Sequence, residues 1–502
     1  MLSLSRSYLA HLMPIVARNH PDARYHHIVQ TDAEERLVRS LGGEVAVNLQ
    51  RVVREGLCAR PGIDWLEPAD FRDVTGFDWC PILADRNLPN FQPAIRLRIA
   101  GAIQTAFNRL FQSCRFDAFV SEPVVLFPTH LLLYLCRLHS VRTLLWSNTY
   151  FPGHFYFSEG CDNMHPIRNA PTEHDHADTI LSCVRAYVDG VREDRAGPVY
   201  HPSFSGRKGK GVDYLAQRRG RAPLVLRGGP LSICMQGGRL ARSIAKRVSF
   251  PWGSDYMSAG AVPEHLHYLR CLISPRSGYD RMPDESSRGV IVYPLQFEPE
   301  GSLLYFAPEI EDQHSFVESI LRALPAGCTL WVKEHPNQFG ALGLAQWRAL
   351  RRTYGNLRFI HGRESGRELI RRSVALVTIS SSMGMDGLLL GRPVLVAGKV
   401  FYRNFDGAIP VDSVARLASA LQRLPPIREG GGPDRNLEEL VAFGMKCWCG
   451  DPQPSETLFS QTNIQALVRA IDRELRSSPR RAAAIPIVPV DQQPQVENRH
   501  VG

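Results

Sequence analysis

Apolar and polar positions along the chain fall into short blocks whose period keeps switching between that of a strand and that of a helix. Near the N-terminus a helix is predicted over about Tyr8 to Val16, with Pro14 as a candidate break. A short strand follows at His27-Ile28-Val29-Gln30. Thr31 or Asp32 then caps a helix with acids in its first turn and Gly42-Gly43 at its end, before a strand at Val45-Ala46-Val47. The rhythm resumes over 95–146: helix from about Ile95 to Phe111, strand at 117–121, helix from about Thr129 to Leu138, strand at 143–146. Residues 147–160 read as an aromatic-rich loop. From 160 to 285 the pattern is less regular, with one helical stretch near 180–191, and predicts helical insertions or an arm.

A second alternating series begins at residue 289. It predicts strands at 289–296, 329–333, 357–360, 375–379 and 393–397. Between them come helices at 313–324, 344–354, 365–373 (capped by Ser365) and 384–390. A helix at 414–423, a Gly/Pro-rich break at 429–433 and a last helix at about 463–475 follow. Alternation of this kind is the pattern of parallel sheets covered by helices. The expected fold class is α/β, with two doubly wound Rossmann-like domains facing a cleft. The expected domains are an N-terminal α/β domain (1–285), a C-terminal α/β domain (286–425), a helical segment (426–476) and a disordered tail (477–502) rich in proline, glutamine and arginine.

Composition changes this picture little. With 44% hydrophobic and 22% charged residues in 502, the chain has the make-up of a globular protein of two or three domains. The best membrane-span candidate, 123–136, is too short and contains His130 and two prolines. No secretory leader is legible, so a cytoplasmic location is expected. Eleven cysteines without framework spacing point to reduced thiols. No cofactor is expected, and no metal, since Cys447 and Cys449 have no partners at zinc-site spacing.

Charge adds one feature. The formal +9 is local: residues 205–249 hold eleven basic side chains against a single acid, Asp213, and the rest of the chain is close to neutral. Such a segment seeks an anionic surface or stays a solvated insertion. No nucleic-acid motif accompanies it, so nucleic acid is not an expected partner.

Candidate chemistry gathers where ligands bind in open α/β sheets, at the carboxyl ends of strands. In the second series Gln296 ends one strand. Lys333, Glu334, His335 and Pro336 end another, and Ser380, Ser381 and Ser382 end a third and open a helix. A helix N-terminus with hydroxyls before it suits phosphate, because unpaired N–H groups and the helix dipole both point at the anion. Gly384 permits close approach, and Asp386 is a candidate for a ribose diol. In the first series Glu122 ends a strand and Glu159 follows the aromatic loop; both are candidate catalytic carboxylates. Tyr150 and His154 are candidates for acceptor contact, with core packing as the competing reading.

These motifs carry a resemblance. The succession Tyr293-Pro294-Leu295-Gln296, Val332-Lys333-Glu334-His335-Pro336, Ser380-Ser381-Ser382-Met383-Gly384-Met385-Asp386, Gly391-Arg392-Pro393-Val394 and Phe401-Tyr402 resembles the bacterial capsule polysaccharide biosynthesis and export family, which includes the retaining β-Kdo transferases. The resemblance implies a GT-B fold, a CMP-activated sugar donor and a donor phosphate held by the histidine–proline motif and the serines. Asp386 stands where that family more often has glutamate. Pro152-Gly153 stands where it has an arginine–proline pair.

The expected function is a glycosyltransferase acting on a lipid-linked or growing glycan. Residues 205–249 would meet an anionic membrane surface at the inner face of the inner membrane, and other capsule assembly proteins are expected partners. Two alternatives stay open: a non-catalytic glycan-binding assembly or export protein, and a CDP-polyol phosphotransferase of the teichoic acid type.

Overall fold

A computed structural model describes residues 1–58, 85–123, 126–160, 165–167, 174–194, 230–250, 256–274, 277–284, 286–298, 303, 307, 310, 312–336, 338–424, 435–453, 455 and 457–477. The N-terminal unit runs β1 (Leu2–Leu4), α1 (Leu9–Arg18), β2 (His26–Val29), α2 (Asp32–Ser40), β3 (Glu44–Asn48), α3 (Leu49–Cys58), α4 (Pro93–Ser113), β4 (Ala118–Ser121), α5 (Phe127–Leu138), β5 (Arg142–Asn148) and β6 (His154–Ser158). Its strands lie in the order β3-β2-β1-β4-β5-β6. All neighbours pair in parallel except β6, which runs antiparallel to β5. The chain works outward from β1, returns, and works outward the other way. The reversal creates a crevice between the carboxyl ends of β1 and β4, the place where such sheets bind ligands.

Among the described residues, three helices follow: α6 (His174–Arg192), α7 (Pro230–Val248) and α8 (Ala261–Ile273). The C-terminal unit is β7 (Val290–Pro294), α9 (Gln313–Ala323), β8 (Thr329–Lys333), α10 (Ala345–Thr353), β9 (Leu357–Ile360), α11 (Gly366–Arg371), β10 (Ala375–Thr378), α12 (Ser382–Leu389), β11 (Val394–Val396), β12 (Ala408–Pro410) and α13 (Val414–Gln422). Its sheet is wholly parallel, in the order β9-β8-β7-β10-β11-β12. This is the same outward-and-back winding, with its crevice between β7 and β10. Every residue of β7 and β10 is buried, as expected for strands covered by helices on both faces.

The chain then returns to where it began. After α14 (Arg435–Gly444), β13 (Trp448–Cys449) adds antiparallel to β6, and α15 (Gln461–Ser477) lies against α1. The apolar face of α15 (Ile464, Leu467, Ile471) enters the cluster of Leu9, Leu12, Met13 and Trp146. Each such fully buried side chain contributes about 1.5–3 kcal/mol. Glu474 fixes the register: it accepts from Trp448 Nε1 at 3.0 Å and pairs with Arg142 at 2.9 Å.

A shared core joins the two units. Tyr150, Phe151 and Tyr156, the inner face of α6 (Ile180, Val184, Val188, Val191) and Phe443 of α14 pack with Leu369, Met385, Leu388 and Phe401 of the C-terminal unit. Arg371 donates to the final carbonyls of α6, 2.8 Å from Arg192 O, satisfying acceptors that a helix end leaves open.

Several expectations are corrected. Pro14 lies inside α1 and does not break it; Leu12, Met13 and Val16 around it are fully buried, and that packing outweighs the backbone bond the proline forfeits. Residues 147–160 are not a loop: β5 and β6 form a hairpin across them, pairing Ser147 with Tyr156 and Leu145 with Ser158. Both faces of β6 are buried, so the alternation that marks a half-exposed strand is absent. Of the basic segment, 205–229 lies outside the described residues and most of the remainder is α7. The expected tail beyond 477 also lies outside them.

Candidate active site

The C-terminal crevice is built from the ends of three adjacent strands. β7 leads into Gln296 and Phe297, β8 ends in Lys333 followed by His335, and β10 leads into Ser380 at the head of α12. The sheet thus brings together most of the residues expected to bind donor.

The three serines have separate tasks. Buried Ser380 meets the amide of Gln296. Ser381 is the N-cap of α12 and accepts from Met383 N at 3.2 Å. Ser382, the first helical residue, is exposed. The Gln296 amide oxygen faces Ser380 N and Ser381 N at 2.7 and 2.6 Å, and its nitrogen meets Ser380 Oγ at 3.2 Å. Gln296 therefore braces the crevice by holding the backbone donors that precede α12. An anion arriving there engages the exposed Ser382 end or displaces that amide. Tyr402 Oη donates to Ser381 O, and Gly384 allows this. A Cβ at residue 384 would lie 2.6 Å from that hydroxyl and 3.0 Å from Thr378 Cγ2.

Lys333 is buried at the end of β8, and its ammonium donates to Glu334 O (3.1 Å) and Gly362 O (3.0 Å). Burial pulls its pKa down to about 8, opposed by Glu334 and Glu364. Its stem lies beside Gly366 at the head of α11, where Met383 from the first turn of α12 also packs. A cation thus sits beneath two helix starts, a field that favours an anion.

His335 and Pro336 open a tight turn closed by Gln338 N donating to His335 O at 3.0 Å, with proline at the position whose φ it matches. The ring meets the edge of Phe297 at 6.0 Å. Burial, then the Lys333 charge, lowers its pKa to about 4. Glu334 turns away from the crevice: Tyr279 Oη, Gly340 N and Ala341 N all donate to its Oε1, and burial lifts its pKa.

Asp386 departs from expectation. Its carboxylate pairs with Arg367 Nε at 3.0 Å, and Arg367 also reaches Asp194 at 3.3 Å beyond the end of α6. Burial raises the Asp386 pKa against the pull of Arg367. The side chain is committed to the junction of α12, α11 and the α6 end through that ion pair.

In the N-terminal unit Glu122 lies at the β1/β4 crevice. Arg6 approaches its Oε1 at 3.1 Å and Tyr8 Oη donates to Oε2 at 2.9 Å. The intervening Ser7 has φ 52°, a conformation uncommon for a non-glycine residue. It is held by its N–H donating to Glu34 Oε1 at 2.7 Å. Strain of this kind gathers at functional positions. Glu159 is not a second carboxylate there. Because β6 runs antiparallel, Ser158 pairs with Leu145 and the exposed Glu159 lies by Thr143 near the start of β5, at the opposite edge of the sheet. Tyr150 and His154 are buried. Tyr150 packs against Phe401 at 5.2 Å, and His154 Nδ1 meets Pro152 O at 3.0 Å. The structure gives both a packing role instead of an acceptor surface.

Two positioning residues went unrecognised in the sequence. Gln313 accepts from Gln296 N at 2.6 Å and donates to Gln296 O at 3.0 Å. Gln338 clips the turn after β8 to Glu298 through bonds of 2.6 and 2.7 Å. A glutamine at the first position of an apolar-periodic helix was the only signal for the former. Among the described residues no group of three or more His, Cys, Asp or Glu could hold a metal ion, and no helix is long and apolar enough to cross a membrane.

The two crevices are linked by α8. At its start Gly260 N donates to Asn87 Oδ1 (3.2 Å). The neighbouring Asp85 accepts from Phe127 N at the head of α5. At its end Cys271 Sγ donates to Phe339 O (2.8 Å), just past His335. Thirteen residues span about 20 Å, so the carboxyl edges of the two sheets flank one helix.

Residues 271–408 match the family of capsule polysaccharide biosynthesis proteins, the family whose motifs the sequence resembles. Protein FixF of Sinorhizobium fredii is 24% identical over 197 residues, 38% of this chain and 46% of that protein. The match therefore spans a little under half the length of that relative. Among solved structures, the β-Kdo 2,4 transferase of Thermosulfurimonas dismutans KpsC is similar at 14% identity and TM-score 0.35, over 70% of this chain and 86% of that one. Anabaena HepE in complex with UDP-glucose is similar at 11% identity and TM-score 0.25, over 95% and 99%.

Proposed function

We propose that the protein is a GT-B-like glycosyltransferase of capsular or surface polysaccharide assembly that uses a CMP-activated, Kdo-like donor and transfers with retention. The placement of Lys333 and His335 at the end of β8 and of the Ser380–Ser382 helix start at the end of β10, on either side of β7, carries this reading. A departing CMP places growing negative charge at its phosphate, and a fixed cation with a helix N-terminus stabilises that charge more than the ground state. The match of 271–408 to the capsule family supports the substrate class.

Glu122 supplies the carboxylate of the facing crevice. It acts as nucleophile or as partner to an oxocarbenium-like centre, held in place by Arg6 and Tyr8. The acceptor is a lipid-linked or growing glycan whose hydroxyl takes the sugar. The enzyme works in the cytoplasm at the inner face of the membrane, alongside other capsule assembly proteins.

The test is incubation of the full chain with CMP-Kdo and a glycan acceptor ending in Kdo, following CMP release and the mass of the product. Turnover that depends on acceptor is the expected outcome. CMP binding without turnover on any glycan would favour a non-catalytic assembly role. Transfer of a polyol phosphate from its CDP ester would favour the phosphotransferase.

A further inference from the structure

Of the six exposed large apolar side chains among the described residues, five lie on the α7–α8 pair: Leu231 (67% exposed), Ile244 (46%), Val248 (80%), Leu266 (47%) and Ile273 (61%). Soluble surfaces scatter such residues singly, and a concentration of them marks an interaction site.

The amphipathy of α7 is inverted. Ser232 and Gln236 face inward, where Gln236 Nε2 bonds His265 Nδ1 at 3.0 Å and His265 O at 3.2 Å. Arg247 also turns in, over the Phe91 ring at 3.9 Å and donating to Asn90 O. The outer face carries Leu231, Cys234, Ala241, Ile244, Ala245 and Val248. At 100° per residue these fill one continuous arc, bordered by Arg242, Lys246 and Arg239. No acid occurs anywhere in the helix.

We infer that this outer face of α7 is a docking surface for an anionic lipid bilayer. A convex apolar ridge beside a row of cations matches a planar interface, where the ridge enters the acyl boundary and the cations meet phosphate headgroups. A polyanion such as nucleic acid would leave the ridge unused. The 19-residue helix presents about 28 Å of such surface. Its partner α8 touches the edges of both crevices, through Asn87 at one end and Phe339 at the other. Docking therefore sets the crevices beside the membrane, where an amphiphilic acceptor resides. This last step rests on the proposed transferase reading; the docking does not.

The experiment is co-sedimentation of the full chain with vesicles of phosphatidylglycerol and phosphatidylcholine in equal parts, and with phosphatidylcholine alone. The variants are Leu231→Ser/Ile244→Ser/Val248→Ser, which touches only exposed positions, and Arg242→Glu/Lys246→Glu. Wild type should bind the mixed vesicles in preference to the neutral ones. The serine variant should partition roughly a hundredfold more weakly, and the glutamate variant at least roughly thirtyfold more weakly on mixed vesicles alone. Thermal melting and CMP binding should be unchanged in both, so lost CMP binding with retained docking would fail only the transferase reading. Equal vesicle binding by wild type and the serine variant would overturn the inference. So would failure of wild type to bind, or a wild-type dimer that the serine variant dissolves, which would make a second copy the occupant.

Discussion

His335 offers a prediction whose size follows from its surroundings. Burial, and then the charge of Lys333, holds its pKa at about 4, against about 6.5 in an unfolded chain. Between these values the unfolded chain binds a proton that the folded chain refuses. Stability conferred by the neutral ring is therefore present above pH 6.5 and is lost as pH falls toward 4. From pH 7 to pH 5 the loss due to this ring is about 2 kcal/mol. His335→Gln removes the titration while keeping a hydrogen-bonding side chain of similar reach. Urea unfolding of both proteins at the two pH values is the assay. His27 and His267, also held at about 4, contribute equally to both and cancel. The variant should lose about 2 kcal/mol less than wild type on acidification; parallel losses would refute the buried neutral ring.

Other perturbations act on neighbouring parts. Gly384→Ala places a Cβ 2.6 Å from the buried Tyr402 hydroxyl, and the overpacking should cost about 1–3 kcal/mol and weaken CMP binding. An unchanged denaturation midpoint would show that helix α12 has room to spare. Arg367→Ala strands the Asp386 carboxylate in the junction with α6 and should cost about 3 kcal/mol, read by urea unfolding; Arg367→Ala/Asp386→Asn together should recover part of it. Glu122→Gln keeps an acceptor for Tyr8, so CMP affinity should hold while sugar transfer falls at least about a hundredfold. Undiminished transfer would release Glu122 from the reaction.

The alternation of strands and helices, and the edge on which the donor residues gather, were legible because they are local. A strand ends where its apolar run ends, and Lys333, His335 and Ser380 stand at such ends. What escaped depends on partners far away in sequence. Asp386 looked free to meet a ribose because nothing local reveals Arg367, nineteen positions back, or the end of α6 at Asp194. Glu159 stood beside Glu122 as a candidate carboxylate until the direction of β6 sent it to the other edge. The β5–β6 hairpin was hidden because its aromatic residues are buried on both faces, and Tyr150 was drawn into a core assembled from four separate segments. The inverted face of α7 was obscured by counting charge alone; its meaning lies in which residues the helix turns outward.

The most direct test of the account is calorimetric titration of the full chain with CMP, CDP, UMP and UDP, repeated on Lys333→Met and on Ser381→Ala/Ser382→Ala. Selective CMP binding by wild type, weakened at least tenfold in both variants, is the predicted result. A uridine preference, or CMP binding indifferent to both changes, would contradict a CMP-donor site at the β7/β10 crevice.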